Sequence, residues 1–264
     1  MIFLVHKTKI AYLMLDHITT INDVIQALDD VISKSQDEQS PVGYFAALYR
    51  KVTLKVKEGI EQDYFEDGPR MEQLDVIFAK RYLLALEQYK SNTNPIVSWN
   101  RSFEYTKRYW PTVFQHLMMG MNAHINLDLG IAAAQVSINK DISRLENDFN
   151  RINEVLAGLV EDVQHDLTEI WPELKWVLKV FGRVDNWLIN FSMKLARNGA
   201  WRFATKLSNH LFDQWDEVIS ERDVKIVKTS KLISDPGLLP LIVFRLIRLG
   251  EKGSVSRKIM DLKE

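Results

Sequence analysis

The sequence predicts an all-α fold, a single bundle-like domain of about ten helices spanning residues 1–264. Three observations carry the prediction. Helix breakers are scarce, with 11 glycines and 7 prolines in 264 residues. Apolar residues recur at the 3.6-residue period of a helix buried along one side. No segment alternates apolar and polar residues between turn signals, so strands are not expected. The connections are short and none reads as a linker, so successive helices are expected to pack as antiparallel neighbours. No motif repeats at a period of about 20–50 residues, which argues against a solenoid.

Taken in order, Thr20 caps a helix through Val24, Ile25, Leu28 and Ile32. Ser40-Pro41 starts the next, a cap residue ahead of a proline at the first helical position. That helix places Tyr44, Leu48, Val52 and Val56 on one face. Gly68-Pro69 opens a third, with Leu74, Phe78, Tyr82 and Leu86 in register. Residues 91–95 form a loop by composition, and a helix through Trp99 and Phe103 comes after it. Pro111 starts the central helix, which runs to Leu129. Residues 141–170 read as one amphipathic helix through Ile142, Leu145, Ile152, Leu156 and Val160. Pro172 and Gly182 punctuate the next stretch, and residues 185–218 form one helix or two joined near Gly199. Asp235-Pro236-Gly237 breaks the chain before a packed helix over residues 238–249. The seven tryptophans fall at helical spacings and read as packing.

Bulk composition narrows the function classes. Net charge is −1, from 34 basic and 35 acidic residues, so there is no global positive excess to hold a nucleic-acid backbone. With no cysteine there is no disulfide, thiolate metal site or cysteine nucleophile, in keeping with a reducing cytoplasm. Residues 1–15 are apolar-rich but interrupted by Lys7 and Lys9, a poor signal peptide. Residues 238–249 carry Arg245 and Arg248 and are too short for the roughly 20 apolar residues of a transmembrane span. A cytoplasmic protein without a transmembrane segment is expected.

The run from Met119 to Gly130 sets two amides, an imidazole and a carboxylate among apolar residues. Polar groups in an apolar helix are costly unless each finds a partner, so the run marks either a polar network in the core or a site. His124 and Asp128, four residues apart, share a face, while Asn122 and Asn126 form a second such pair on roughly the opposite face. His116, eight residues before His124, falls about 80° from it on a helical projection. Gly120 lets another helix or a ligand approach closely. Candidate partners are Asp75, Arg81 and Tyr82 on the third helix, Asp148 and Asn153, and Asp185 and Asn186. Asp29-Asp30 and the pair Asp213 and Asp216 lack the full acidic cluster of a magnesium-dependent prenyl-transferring enzyme and read as solvated faces. Asn190-Phe191-Ser192 matches a glycosylation acceptor but falls within a helix.

Four blocks together resemble a bacterial family of about this size, catalogued only as a domain of unknown function. They are Gly43 to Thr53, Leu74 to Leu83, Gly120 to Leu129 and Asp148 to Asn153, with a weaker fifth from Asn190 to Trp201. The resemblance spans about residues 23–207, and its most specific part is the Gly-Met-Asn-Ala-His-Ile-Asn-x-Asp-Leu run. Lys80 departs from the asparagine expected at that position. The resemblance implies an all-helical single domain and groups Asp75, Arg81, Tyr82, Asn122, His124, Asn126 and Asp128. It implies no activity.

These residues support two classes of function. In the first, a small-molecule-binding protein or enzyme has a pocket lined by Asn122, His124, Asn126 and Asp128, faced by Asp75, Arg81 and Tyr82. His124 is then the general acid or base, oriented by Asp128. Arg81 binds an anionic group, and an asparagine fixes a carbonyl. A metal-dependent version uses a divalent ion held by His116, His124 and Asp128, with Asp75 as fourth ligand. In the second class, a non-catalytic helical scaffold or partner-binding protein uses the same residues as a structural network.

Overall fold

A computed structural model describes residues 15–152, 154–155 and 193–264. Among them the fold is all-α, with no strand. The α-helices are α1 (Ile21–Asp37), α2 (Val42–Glu61), α3 (Gly68–Lys90), α4 (Val97–Thr106), α5 (Val113–Ala123) and α6 (Leu129–Val136). Then come α7 (Met193–Ser208), α8 (Trp215–Ser234), α9 (Leu238–Gly250) and α10 (Val255–Lys263). A π-helical turn, His124–Asp128, joins α5 to α6 without a break.

The helix starts obey local chemistry. Thr20 and Asp23 form a reciprocal capping box at α1, whose buried stripe is Ile21, Val24, Leu28 and Ile32. Asp67 caps α3 by accepting from the Arg70 N–H, ahead of Pro69. At α2 the cap position is Pro41, not Ser40, and no side chain caps it. The central helix starts at Val113, not Pro111, because Thr112 and Gln115 close a second capping box. Ile142–Leu145 is a 3₁₀ turn capped by Asp141, so the α-helical stretch predicted from Asp141 opens only at Glu146. Gly199 lies inside α7, and the chain breaks after Ser208 instead, where residues 209–211 lead to a 3₁₀ turn at Phe212–Gln214. At the late break Gly237 has φ 93°, a conformation that favours glycine. α10, capped by Ser254, was not legible in the pattern.

The α5–α6 rod is the axis of the fold. From Val113 to Val136 every residue is buried except Phe114, Met121, Asn126 and Gln135, which are half-buried. A helix apolar on all sides belongs inside a core. α2, α4 and α8 pack on α5, α3 and α7 pack on α6, and α3, α7 and α8 reach the π turn. Gly120 admits the Phe45 ring of α2, and Gly130 admits the backbone of α7 at Ala200.

Acidic side chains bind the elements together. Asp148 accepts from the Glu66 and Asp67 N–H groups at 2.7 and 2.9 Å, and Asp223 from those of Val97 and Ser98 at the start of α4. Asp148 therefore holds the α2–α3 connection and is no partner of the central helix. Asp29 pairs with Arg50 at 2.8 Å and Lys263 at 2.7 Å, so it ties α1 to α2 and α10 and is not simply solvated.

α9 is a helix as predicted, but only Phe244 and Ile247 are buried, and Leu238, Leu239, Ile242, Leu246 and Leu249 face outward. Trp110 is 46% exposed beneath Arg245 and is not core packing. No helix among the described residues is long and apolar enough to cross a membrane. Asn153, Asp185, Asn186, the 190–192 acceptor and the expectations for residues 1–14 and 156–192 lie outside the described residues.

Candidate functional site

The π turn positions the central pair. His124 Nδ1 lies 3.1 Å from Asp128 Oδ2. The same oxygen accepts from the Trp99 indole N–H at 2.7 Å, and Asp128 Oδ1 accepts from Arg81 Nε at 2.7 Å. Three elements thus converge on one fully buried carboxylate. Burial opposes its ionisation, but Arg81, His124 and Trp99 outweigh it and hold the Asp128 carboxyl below the usual carboxylate range. Burial pushes the His124 imidazole below its ordinary value despite Asp128. His124 is therefore neutral at neutral pH, with its proton on Nδ1 facing the carboxylate and a bare lone pair on Nε2.

Aromatic rings enclose that imidazole. Phe78 stacks flat on it, centroids 3.5 Å apart and planes 6° apart. Tyr49 meets it edge-on at 4.5 Å, and Phe45, Trp99 and Tyr82 stand at 5.6, 5.8 and 6.1 Å. Four polar atoms of this centre are buried without a hydrogen-bond partner among the described residues: His124 Nε2, the Tyr49 and Tyr82 hydroxyls, and Asp75 Oδ2. Asp75 is near enough to Tyr49 to act, after burial, on its ionisation. Burial, with Glu72 adding, raises the Asp75 carboxyl to about 7. Both tyrosines are held protonated by burial. Beside Phe45, Tyr82 and Trp99 a crevice of about 10 Å³ also touches His116 and Ser102, room for one water and nothing larger.

The asparagine pair faces elsewhere. Asn122 Nδ2 donates to the Ile226 carbonyl at 3.1 Å and to Ser230 Oγ at 3.0 Å, both on α8. Asn126 Nδ2 donates to Asn122 Oδ1 at 3.1 Å, and the Asn126 carbonyl accepts from Arg222 Nε at 3.1 Å. These amides join α5 and the π turn to α8, and no geometry brings them to the His124 centre.

The proposed ligand set for a metal is not assembled either. Among the described residues no three His, Asp or Glu side chains are placed to hold an ion. His116 and His124 share a side on a projection, but eight residues of helix separate them by about 12 Å along the axis. His116 lies between Tyr44 and Tyr105, and burial, with Arg248 and Lys258, pushes it down to about 3. Arg81 supports Asp128 through its Nε, so that nitrogen is not available to an anionic ligand.

Sequence reasoning missed Trp99 as a donor and Phe45, Tyr49 and Phe78 as walls. One signal was available: a buried indole N–H needs an acceptor, and Trp99 stands seventeen residues after Tyr82, in the next helix. The π turn had no signal at all. Such turns occur frequently at functional sites, because one extra residue re-aims the side chains around it.

Comparison with known proteins gives one finding. The model of a family described as "Family of unknown function (DUF5995)" matches residues 21–236. No curated protein and no solved structure matches the chain.

Proposed function

For this chain, which belongs to the DUF5995 family of unknown function, we propose a small-molecule-binding protein with an acid–base centre at His124. The observation that supports it is the group of four unpartnered buried polar atoms around an imidazole whose other nitrogen is fixed. A buried hydroxyl or carboxyl oxygen left unpaired costs about 1–3 kcal/mol. Four together make sense where a ligand or water completes them.

The chemistry comes from the arrangement. Asp128 fixes the tautomer and ring orientation of His124, as a carboxylate does for a histidine base. Nε2 accepts a proton from a ligand O–H or N–H, and Asp128 stabilises the imidazolium that forms. The Tyr49 and Tyr82 hydroxyls donate to a ligand oxygen. Arg81 keeps Asp128 ionised. A ligand larger than water enters where Phe45, Tyr82 and Trp99 part, a local opening of the kind that binding sites use.

The rival is a purely structural network, and the saturation of Asp128 favours it. Density at the wild-type site and the His124→Ala variant separate the two. The binding reading expects an ordered water or co-purified molecule within hydrogen-bond distance of Nε2 and a tyrosine hydroxyl. It expects that density to vanish in the variant while folding is largely kept. An empty wild-type site, with a loss of about 2–3 kcal/mol in the variant, assigns the network instead.

A further inference from the structure

A groove of about 200 Å³ lies between α7 and α8, apart from the His124 centre. Four cations line it, Arg202, Lys206, Arg222 and Lys225, with Glu221 as the acid. Glu221 sits 3.6 Å from Lys206, so it faces one exposed cation and leaves the others unbalanced. No carboxylate pairs with Arg202, Arg222 or Lys225 among the described residues. A chain of net charge −1 thus concentrates a local excess of three positive charges here.

Arg222 is the built part of the groove. Its Nε donates to the Asn126 carbonyl at 3.1 Å, its guanidinium carbon stands 5.4 Å from the Phe203 ring centre, and it is half-buried. Its Nη2 lies 3.3 Å from where a Gly199 side chain would begin, so glycine there leaves the guanidinium its place. Burial first, then the nearby Arg202, acts against its charge. A desolvated cation beside a second cation is unfavourable unless an anion comes between them. A guanidinium held by its Nε and by a ring face still presents its Nη groups to an oxyanion.

We propose that the α7–α8 groove binds a phosphate group, with Arg222 and Arg202 as its principal ligands and Lys206 and Lys225 at its rim. The multiple cations favour a dianion over a carboxylate, and the volume suits free phosphate or a small phosphomonoester. A phospholipid headgroup offers the same chemistry.

Calorimetric titration with inorganic phosphate, glycerol 3-phosphate and acetate, at low and raised salt, tests this on the full chain. Vesicles of phosphatidylcholine with and without phosphatidic acid form the lipid arm. Saturable binding of a phosphate species that weakens with salt is expected, with acetate binding more weakly. Arg222→Gln and Arg202→Gln should each reduce affinity about tenfold or more, the loss of one charge-assisted contact. Arg202 is exposed and makes no hydrogen bond among the described residues, so its variant reports on binding even if Arg222→Gln disturbs the α8 contact. Binding only to phosphatidic acid vesicles upholds the phosphate chemistry and assigns the lipid as its source. No saturable binding in any arm, acetate binding as tightly as phosphate, or affinity unchanged in Arg202→Gln each overturns the proposal. None of these results bears on His124.

Discussion

On one side of the α5–π-turn segment, Asn122 and Asn126 bond to each other and to α8, and Asn122 uses both its donors and its acceptor. On the other side, His124 and Asp128 show the same four-residue spacing, yet only the aspartate is saturated. Equal polarity in the sequence therefore leads to unequal completion in the fold. A saturated amide pair locks two helices together. An imidazole with one nitrogen fixed and the other bare, in a centre with three more oxygens unpaired among the described residues, leaves hydrogen-bonding capacity for something else.

The largest test of that contrast removes Asp128. Asp128→Ala leaves Arg81, Trp99 and His124 without their shared acceptor and should cost about 3–5 kcal/mol in urea denaturation, the range for breaking a buried ion pair. A loss below about 1 kcal/mol would mean that the carboxylate does not anchor the centre.

A second test uses pH. The Asp75 carboxyl is raised from 3.8 to about 7 in the fold, so between these values the folded chain keeps a proton that the unfolded chain releases. Stability from this group is then lost as pH rises through about 7. His116, lowered from 6.5 to about 3, acts oppositely, because the unfolded chain binds the proton and stability falls as pH falls through that window. His124, lowered by burial, adds to the same trend. Asp75→Asn removes only the first contribution. Its stability relative to wild type should climb between about pH 4 and pH 7 and level off above, measured as denaturation midpoints across a pH series. A difference that stays flat with pH would refute the buried, unpaired state of Asp75.

The smallest effect gives the sharpest comparison. Asn122→Ala should destabilise by about 2 kcal/mol, because Ser230, Asn126 and the Ile226 carbonyl lose a buried partner. Tyr82→Phe, equally buried, removes a hydroxyl that has no partner among the described residues and should change stability by no more than about 0.5 kcal/mol. Equal losses in the two variants would mean that the two faces do not differ.

Much of the fold was readable because local chemistry decides it. The Thr20 cap, the Gly68-Pro69 start, the Asp235–Gly237 break and the stripe Leu74, Phe78, Tyr82 and Leu86 depend on residues within one or two turns of one another. The shared faces of His124 with Asp128 and of Asn122 with Asn126 come from the same periodicity. Errors arose where a distant group overrides the pattern. Gly199 looked like a joint, but α7 continues through it, with Arg222 from another helix seated over it. α9 has a packed helix's composition, and its Leu238, Leu239, Leu246 and Leu249 are nonetheless exposed. His116 joined the candidate metal set because a projection carries angle and omits rise.

By itself, then, the sequence determined most of the described helices, the burial of the central helix as far as Leu129 and the two polar pairs upon it, since propensity, capping and periodicity act within a few residues. Only the tertiary structure decided which polar atoms are satisfied. Trp99 reaches Asp128 across 29 positions, Arg81 across 47, and Asn122 reaches Ser230 across 108. A hydrogen bond forms within about 3 Å whatever the separation along the chain, so its partner is set by how helices pack.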